Sequence, residues 1–292
     1  MCYTATMKFT IKEFNKQYPT DEVCLNKIFQ ARFGHIKECP KCKKETKFNR
    51  ITTRKCYCCQ FCGYQLHPVA NTIFHKSDTP LTNWFYAIYL FSVSKNGVSA
   101  MELQRQLGCT YKTAWRMAKQ IRQLFEENKD ALKGIVELDE TYVGGKGGHN
   151  KRGRGSENKT PVFGMVERKG AIKAKVTVDT KRKTVMPIIR KHVAIGSDVM
   201  TDEYLPYRSL PKEGYHHHTV AHGQREYVRG NVHVNTLEGF WSQMKRSING
   251  TYHAVSPKYL QTYVDEFSYR YNLRFSSEPL FSLLLLRVVK QY

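Results

Sequence analysis

The feature that most constrains this chain is a run of thiols: "CPKC" at Cys39–Cys42, sixteen intervening residues, then "CQFC" at Cys59–Cys62 followed by Gly63. A C-x2-C pair sets two sulfurs on one tight turn. Two such turns at this separation converge on a single tetrahedral ion, so the segment reads as a four-thiolate zinc site of Cys39, Cys42, Cys59 and Cys62. Cys56 with Cys59 makes a competing C-x2-C pair. Cys59 with Cys62 is preferred because Gly63 supplies the backbone freedom that the second turn needs, which leaves Cys56 and Cys58 as spare thiols. No positively charged segment followed by an apolar core opens the chain, so a cytoplasmic, reducing setting is expected and disulfides are not. The zinc segment and the helical lead-in before it make a first region, 1–75.

A metal-stapled module leaves open what the chain binds, and charge narrows that. Lys and Arg outnumber Asp and Glu 47 to 25, a net charge of +22 carried by both halves. Such a field favours a polyanion, nucleic acid or an acidic membrane surface. The membrane is disfavoured, because the longest apolar run, Pro279–Leu286, is too short to span a bilayer and ends at Arg287.

A second region, 76–130, has helical periodicity. "LTNWFYAIYLF" puts Leu81, Trp84, Phe85, Ile88 and Phe91 on one stripe. Ser99 with Glu102 has capping-box spacing, "GCT" interrupts the pattern, and Thr110 opens another helix bearing Ala114, Met117, Ile121 and Leu124. Two short helices about a glycine turn, the second rich in Arg116, Lys119 and Arg122, suit a helix-turn-helix with a DNA-facing recognition helix. An ordinary helical hairpin with a solvated basic face is the other reading.

From 131 to 292 the grammar changes to strands: "IVELDETYV", "TPVFGMVER", "AIKAKVTVD", a helical "KTVMPIIRKHV", then "SDVMTDEY". That order predicts an α/β domain with helices covering a sheet. The stretch Gly144–Lys159 is too glycine-rich and charged to pack, and its Lys151, Arg152 and Arg154 are candidates for phosphate contact. The "YHHHTVAH" segment offers His216, His217, His218 and His222 as rival metal ligands. On a strand no more than two of the triplet share a face.

Asp139 ends one apolar run and Asp202 ends another; if those strands are neighbours, both carboxylates emerge at one edge of the sheet. Glu238 follows in "NTLEGFWSQMK", where Asn235 and Glu238 have capping-box spacing at a helix start. Three carboxylates from separate elements suit hard divalent cations, Mg²⁺ or Mn²⁺. We expect Asn235 to cap alone, Glu238 to turn to the metal, and Trp241 and Met244 to face the core.

At this point "VELDETYVGGK", "TDEYLPY" and "HVNTLEGFWSQMKRSINGTYHAVSPKYLQTYVDEFSYRYNLR" resemble the bacterial insertion-sequence transposases in which a zinc ribbon precedes an RNase H-like catalytic domain. The resemblance runs from Cys39 to about Arg274. It implies an RNase H-like mixed sheet flanked by helices, with Asp139, Asp202 and Glu238 as the acidic triad. It also implies Lys245, with Arg246 beside it, at the DNA near the cut, element terminal repeats and target DNA as partners, and a homo-oligomer on DNA. Relatives sometimes place Asn third, which keeps Asn235 open as the third ligand. From the residues alone, a non-catalytic zinc-ribbon and helix-turn-helix regulator, or a structure-specific nuclease of the same fold, also remain open.

Overall fold

A computed structural model describes residues 9–125, 130–144, 159–220 and 228–290. The chain divides into two units, Met1–Leu124 with Ser276–Tyr292, and Phe125–Phe275.

In the first unit, helix α1 (Ile11–Gln17) opens with a complete capping box between Thr10 and Glu13. Thr20 caps α2 (Asp21–Phe33) by accepting from the amide of Val23. Three short strands follow, β1 (Phe48–Ile51), β2 (Cys56–Cys59) and β3 (Gln65–Leu66), paired antiparallel in that order. Helix α3 (Leu81–Val93) buries Leu81, Trp84, Phe85, Ile88 and Phe91, the stripe read from the sequence. Helices α4 (Ala100–Leu107) and α5 (Tyr111–Arg122) form the anticipated pair. Gly108 turns the chain at φ +61°, and Thr110 caps α5 by accepting from the amide of Thr113. Ser99 caps α4, but Glu102 does not close the box: its carboxylate accepts from Arg105 and Gln106 instead.

The second unit is built on a five-stranded sheet. Its strands are β4 (Ile135–Val143), β5 (Thr160–Glu167), β6 (Ile172–Val176), then, after helix α6 (Arg182–His192), β7 (Asp198–Asp202) and β8 (His216–Val220). The order is β6-β5-β4-β7-β8. The β4–β5 and β5–β6 pairs are antiparallel, and the β4–β7 and β7–β8 pairs are parallel. This is the mixed, helix-flanked α/β sheet that was expected, with β8 as a fifth strand that was not. Helix α7 (Asn235–Ser247) runs into a single π turn at Ile248–Tyr252, and α8 (Pro257–Asn272) follows.

Both faces of this sheet are covered, and the alternation of β4 divides its side chains between them. Val136 and Leu138 join a core with Val185 and Ile189 of α6 and with Tyr207. Glu137 and Asp139 point the other way, where Leu237, Trp241 and Met244 of α7 pack with Val162, Val166, Leu260 and Val264. The strand therefore presents Glu137 and Asp139 to α7, while Glu140 accepts from the Tyr207 hydroxyl on the other face.

The final helix, α9 (Leu280–Lys290), counts with the first unit rather than with the α/β unit, which the 131–292 boundary had included. Its Phe281 is buried among the rings of Phe9, Phe14, Tyr18 and Phe85. The apolar run that looked like the best membrane candidate is thus a core-facing stripe of Phe281, Leu284, Leu285 and Val288. Among the described residues no helix is long and apolar enough to cross a membrane.

Candidate active site

The thiols form the tightest constellation. The ligand atoms of Cys39, Cys42, Cys59 and Cys62 all lie within 4.8 Å of one another. The Cys39–Cys62 sulfurs are 3.6 Å apart and the Cys42–Cys59 sulfurs 3.8 Å. An ion at tetrahedral Zn–S distances of about 2.3 Å sets its sulfurs ~3.8 Å apart, so the cage fits zinc. The two turns are alike. The amide of Lys43 donates to the carbonyl of Cys39, and that of Gly63 to the carbonyl of Cys59. Both turn residues are left-handed, Lys43 at φ +60° and Gly63 at φ +68°. Burial raises the Cys59 thiol, but the Thr46 hydroxyl and the amides of Cys62 and Phe61 outweigh it and bring the thiol down to about 6. Cys56 points into the core beside Gln65, and Cys58 lies outside the cage, which resolves the competing register as preferred.

On α5 the basic residues separate. Lys112, Arg116 and Lys119 are exposed and lie four and three residues apart, on one stripe of the helix. Arg116 also reaches the hydroxyls of Ser77 and Thr79. Arg122 does not join them. It is 4% exposed, donates to the carbonyl of Val98 and lies over the ring of Phe91, so its assignment to the DNA face is corrected to a packing role. Lys151, Arg152, Arg154 and His222 lie outside the described residues.

The carboxylates are brought together by strand register. In the parallel β4–β7 pair, Ile135 lies opposite Asp198, Val136 opposite Val199 and Glu137 opposite Met200. Continued two residues past the last paired position, the same offset puts Asp139 level with Asp202, where β7 ends. Asp139 lies opposite Gly164 of β5 on its other side. The indole of Trp241 rests over Gly164 and donates from Nε1 to Asp139 Oδ2 at 3.1 Å. Burial pushes the Asp139 carboxyl up to about 7, and the carboxylates of Glu140, Asp202 and Glu238 add to that.

Glu238 is exposed, one turn before Trp241 on α7, and Lys245 stands two turns after Glu238, half-buried. Burial lowers the Lys245 ammonium, Asp139 raises it and Lys159 lowers it. Lys245 thus feels both the Asp139 carboxylate and a second ammonium group, that of Lys159. Lys159, the described end of the basic loop, is a neighbour that periodicity and spacing did not single out. Arg246 is exposed on the adjoining position of α7.

Among the described residues, only the four thiols gather at least three ligand atoms within 4.8 Å, so Asp139, Asp202 and Glu238 stand wider apart. The burial of Asp139 beside other carboxylates disfavours its charged form, a cost that divalent charge would offset. The donor set of hard oxygens fits Mg²⁺ or Mn²⁺.

The comparisons bear on the same residues. Residues 131–272 match the family model of the ISXO2-like transposase domain, and residues 19–65 match that of the transposase zinc-ribbon domain. The chain belongs to this transposase family. A protein of the transposable element ISH50 of Halobacterium salinarum is 28% identical over 276 residues, covering 87% of this chain and 92% of that protein. A transposase-like protein of Haemophilus influenzae is 25% identical over 97 residues, 33% of this chain and 77% of that protein. A chain of a simian T-cell lymphotropic virus intasome in complex with a PP2A regulatory subunit overlaps at TM-score 0.31 and 11% identity, over 57% of this chain and 67% of that one.

The cap expected from Asn235 alone at the start of α7 is not formed. The position before the helix is Val234, with no side-chain cap, and Asn235 is exposed. The amides of Thr236 and Leu237 donate instead to the carboxylate of Glu137. A buried acid on β4 has displaced the local cap. Of the described histidines, His216 and His218 share Asp198 at 3.5 and 3.4 Å, and His217 meets the Thr201 hydroxyl at 2.8 Å.

Proposed function

We propose that this chain binds the ends of an insertion sequence and catalyses metal-dependent DNA strand cleavage and strand transfer. Asp139, Asp202 and Glu238 would hold the catalytic cations, and Cys39, Cys42, Cys59 and Cys62 a structural zinc. What supports this reading is the parallel register of β4 and β7, whose offset, continued two residues, puts Asp139 level with Asp202, together with the bond to Asp139 from Trp241, one turn after Glu238 on α7. Bound there, a pair of divalent cations supplies charge neutralisation and Lewis-acid activation for phosphodiester attack. Asp139 is kept in one orientation by the Trp241 indole. Lys245 and Lys159 offer positive charge to the scissile phosphate. Lys112, Arg116 and Lys119, with Lys151, Arg152, Arg154 and Arg246, steady flanking duplex through sequence-independent phosphate contacts. Acting on DNA, the chain would work in the cytoplasm as a homo-oligomer bridging two element ends.

The test uses duplexes carrying the terminal repeats that flank this reading frame. Asp139→Asn or Asp202→Asn should abolish cleavage in Mg²⁺ and leave end binding intact. Cleavage by either variant near the parent rate would remove the metal assignment. Joining of the 3′-OH product to a target plasmid separates a transposase from a nuclease that stops at hydrolysis, and binding without cleavage by the parent would favour a regulator.

A further inference from the structure

Glu137 is a carboxylate with no solvent exposure, two residues before Asp139 on the same face of β4. A charge there is costly unless every lone pair is used, and it is densely bonded. It accepts from Arg168 Nε at 2.8 Å, from the amides of Thr236 and Leu237 at 2.9 and 3.2 Å, and from the Thr236 hydroxyl at 2.9 Å. His233 Nδ1 stands 3.4 Å away. The rest of the Arg168 guanidinium grips the segment that leads into α7: one terminal nitrogen donates to the carbonyl and side chain of Asn231 at 2.6 and 2.9 Å, the other to the carbonyl of His233 at 2.8 Å. A negative charge at the helix N-terminus is also favoured by the helix dipole.

We propose that Glu137 and Arg168 form a buried latch that positions α7, and thereby Glu238, against Asp139. This inference rests on the reading of Asp139 and Glu238 as cation ligands. Glu137 and Arg168 are positioning residues, acting through the helix start. Glu238 lies one residue beyond the last amide that the latch holds, and Asp139 two residues along the strand that carries the latch. The distance between two ligands that come from different elements is therefore set by one carboxylate bonded to both. A local Asn or Ser cap would satisfy the first amides of α7 as well but would make no bond between that helix start and β4. The latch supplies the registration that a local cap lacks.

The test measures Mn²⁺ binding to the full-length, DNA-free protein with its zinc retained, by electron paramagnetic resonance titration, alongside amide hydrogen exchange. Glu137→Gln keeps the shape but leaves Arg168 without its counter-charge. Groups that orient metal ligands change metal affinity by about 10–100-fold when altered, so the expected result is a loss of that size with faster exchange at Thr236 and Leu237. Arg168→Lys, which keeps the charge but cannot span Asn231 and His233, should weaken binding too, and it decides the matter if Glu137→Gln does not fold. A folded variant binding Mn²⁺ as tightly as the parent overturns the latch. Asp139→Asn is the control: if it leaves Mn²⁺ binding unchanged, the cation site itself is wrong. If it abolishes binding while the latch variants bind normally, only the latch fails.

Discussion

Gly164 is the position where one added methyl group should disturb the candidate site most. It lies opposite Asp139 in the β4–β5 ladder. A Cβ built there would sit 2.4 Å from Cζ2 and 2.7 Å from Cη2 of Trp241, and 3.1 Å from Cδ1 of Leu237. Carbon atoms settle about 3.5–4.0 Å apart, so the indole must retreat by roughly 1 Å or more. It cannot do so and keep its 3.1 Å bond to Asp139, because Leu237, Trp241 and Met244 are packed as one buried layer. Overfilling a tight core costs about 1–3 kcal/mol. Breaking a hydrogen bond to a charged group costs about 1.5–3 kcal/mol. Both follow from a single displacement and overlap, so about 2–4 kcal/mol is expected for Gly164→Ala. At about 2–4 °C per kcal/mol for a unit of the size of Phe125–Phe275, the melting temperature of that unit should fall by roughly 4–16 °C.

Thermal unfolding followed by circular dichroism, without added divalent cation, reads this directly. Trp241→Phe supplies the internal check, since a smaller ring leaves room for the new methyl. The double variant should lose less than the sum of the single losses, by about 0.5–3 kcal/mol as contacting pairs do. A Gly164→Ala protein that melts within a degree of the parent, or losses that simply add, would refute the view that Trp241 seats on this glycine to hold Asp139.

Metal analysis of freshly purified protein should find one zinc per chain, retained by Cys56→Ser and Cys58→Ser and absent from a Cys59→Ser, Cys62→Ser double variant; zinc released on changing Cys56 would reverse the ligand choice. Replacing Lys112, Arg116 and Lys119 together by Ala should lower affinity for duplex DNA and flatten its salt dependence by about 0.9 in log–log slope for each phosphate no longer neutralised; an unchanged slope returns α4 and α5 to a hairpin with a solvated face. Arg122→Ala should lower the melting temperature and leave the salt slope alone, because its guanidinium is spent on Val98 and Phe91.

What was legible in the sequence followed from short-range rules. The thiol spacing, the α3 stripe and the strand-helix-strand order each depend on periodicity or on the tight C-x2-C turns, and each appears in the structure. What was not legible depends on partners far along the chain. Arg122 looked like part of a basic face because its neighbours are basic, but position 122 turns inward toward Phe91, thirty-one residues earlier. Gly164 carried no turn signal, because its reason for being glycine is an indole contributed by α7. The apolar C-terminal helix gave no sign that aromatic residues from the beginning of the chain would enclose Phe281.

The helix start at Asn235 shows how such a long-range partner alters a chemical assignment. By spacing, Asn235 and Glu238 make a reciprocal cap, which would occupy the Glu238 carboxylate. Glu137 has taken the amides of Thr236 and Leu237, ninety-nine and a hundred residues away in sequence, so neither residue is needed for the cap. Glu238 is then exposed on the first turn of α7 and is one of the charges that raise Asp139, whereas Asn235 brings only a neutral amide, a weaker partner for a hard cation. The two assignments separate under mutation. Glu238→Gln should cut strand cleavage by two orders of magnitude or more, on the order of 3 kcal/mol or above in barrier, and move the melting temperature by less than a degree or two because no cap is removed. Asn235→Ser should cleave close to the parent rate. Normal cleavage by Glu238→Gln together with a dead Asn235→Ser protein would transfer the third ligand to Asn235.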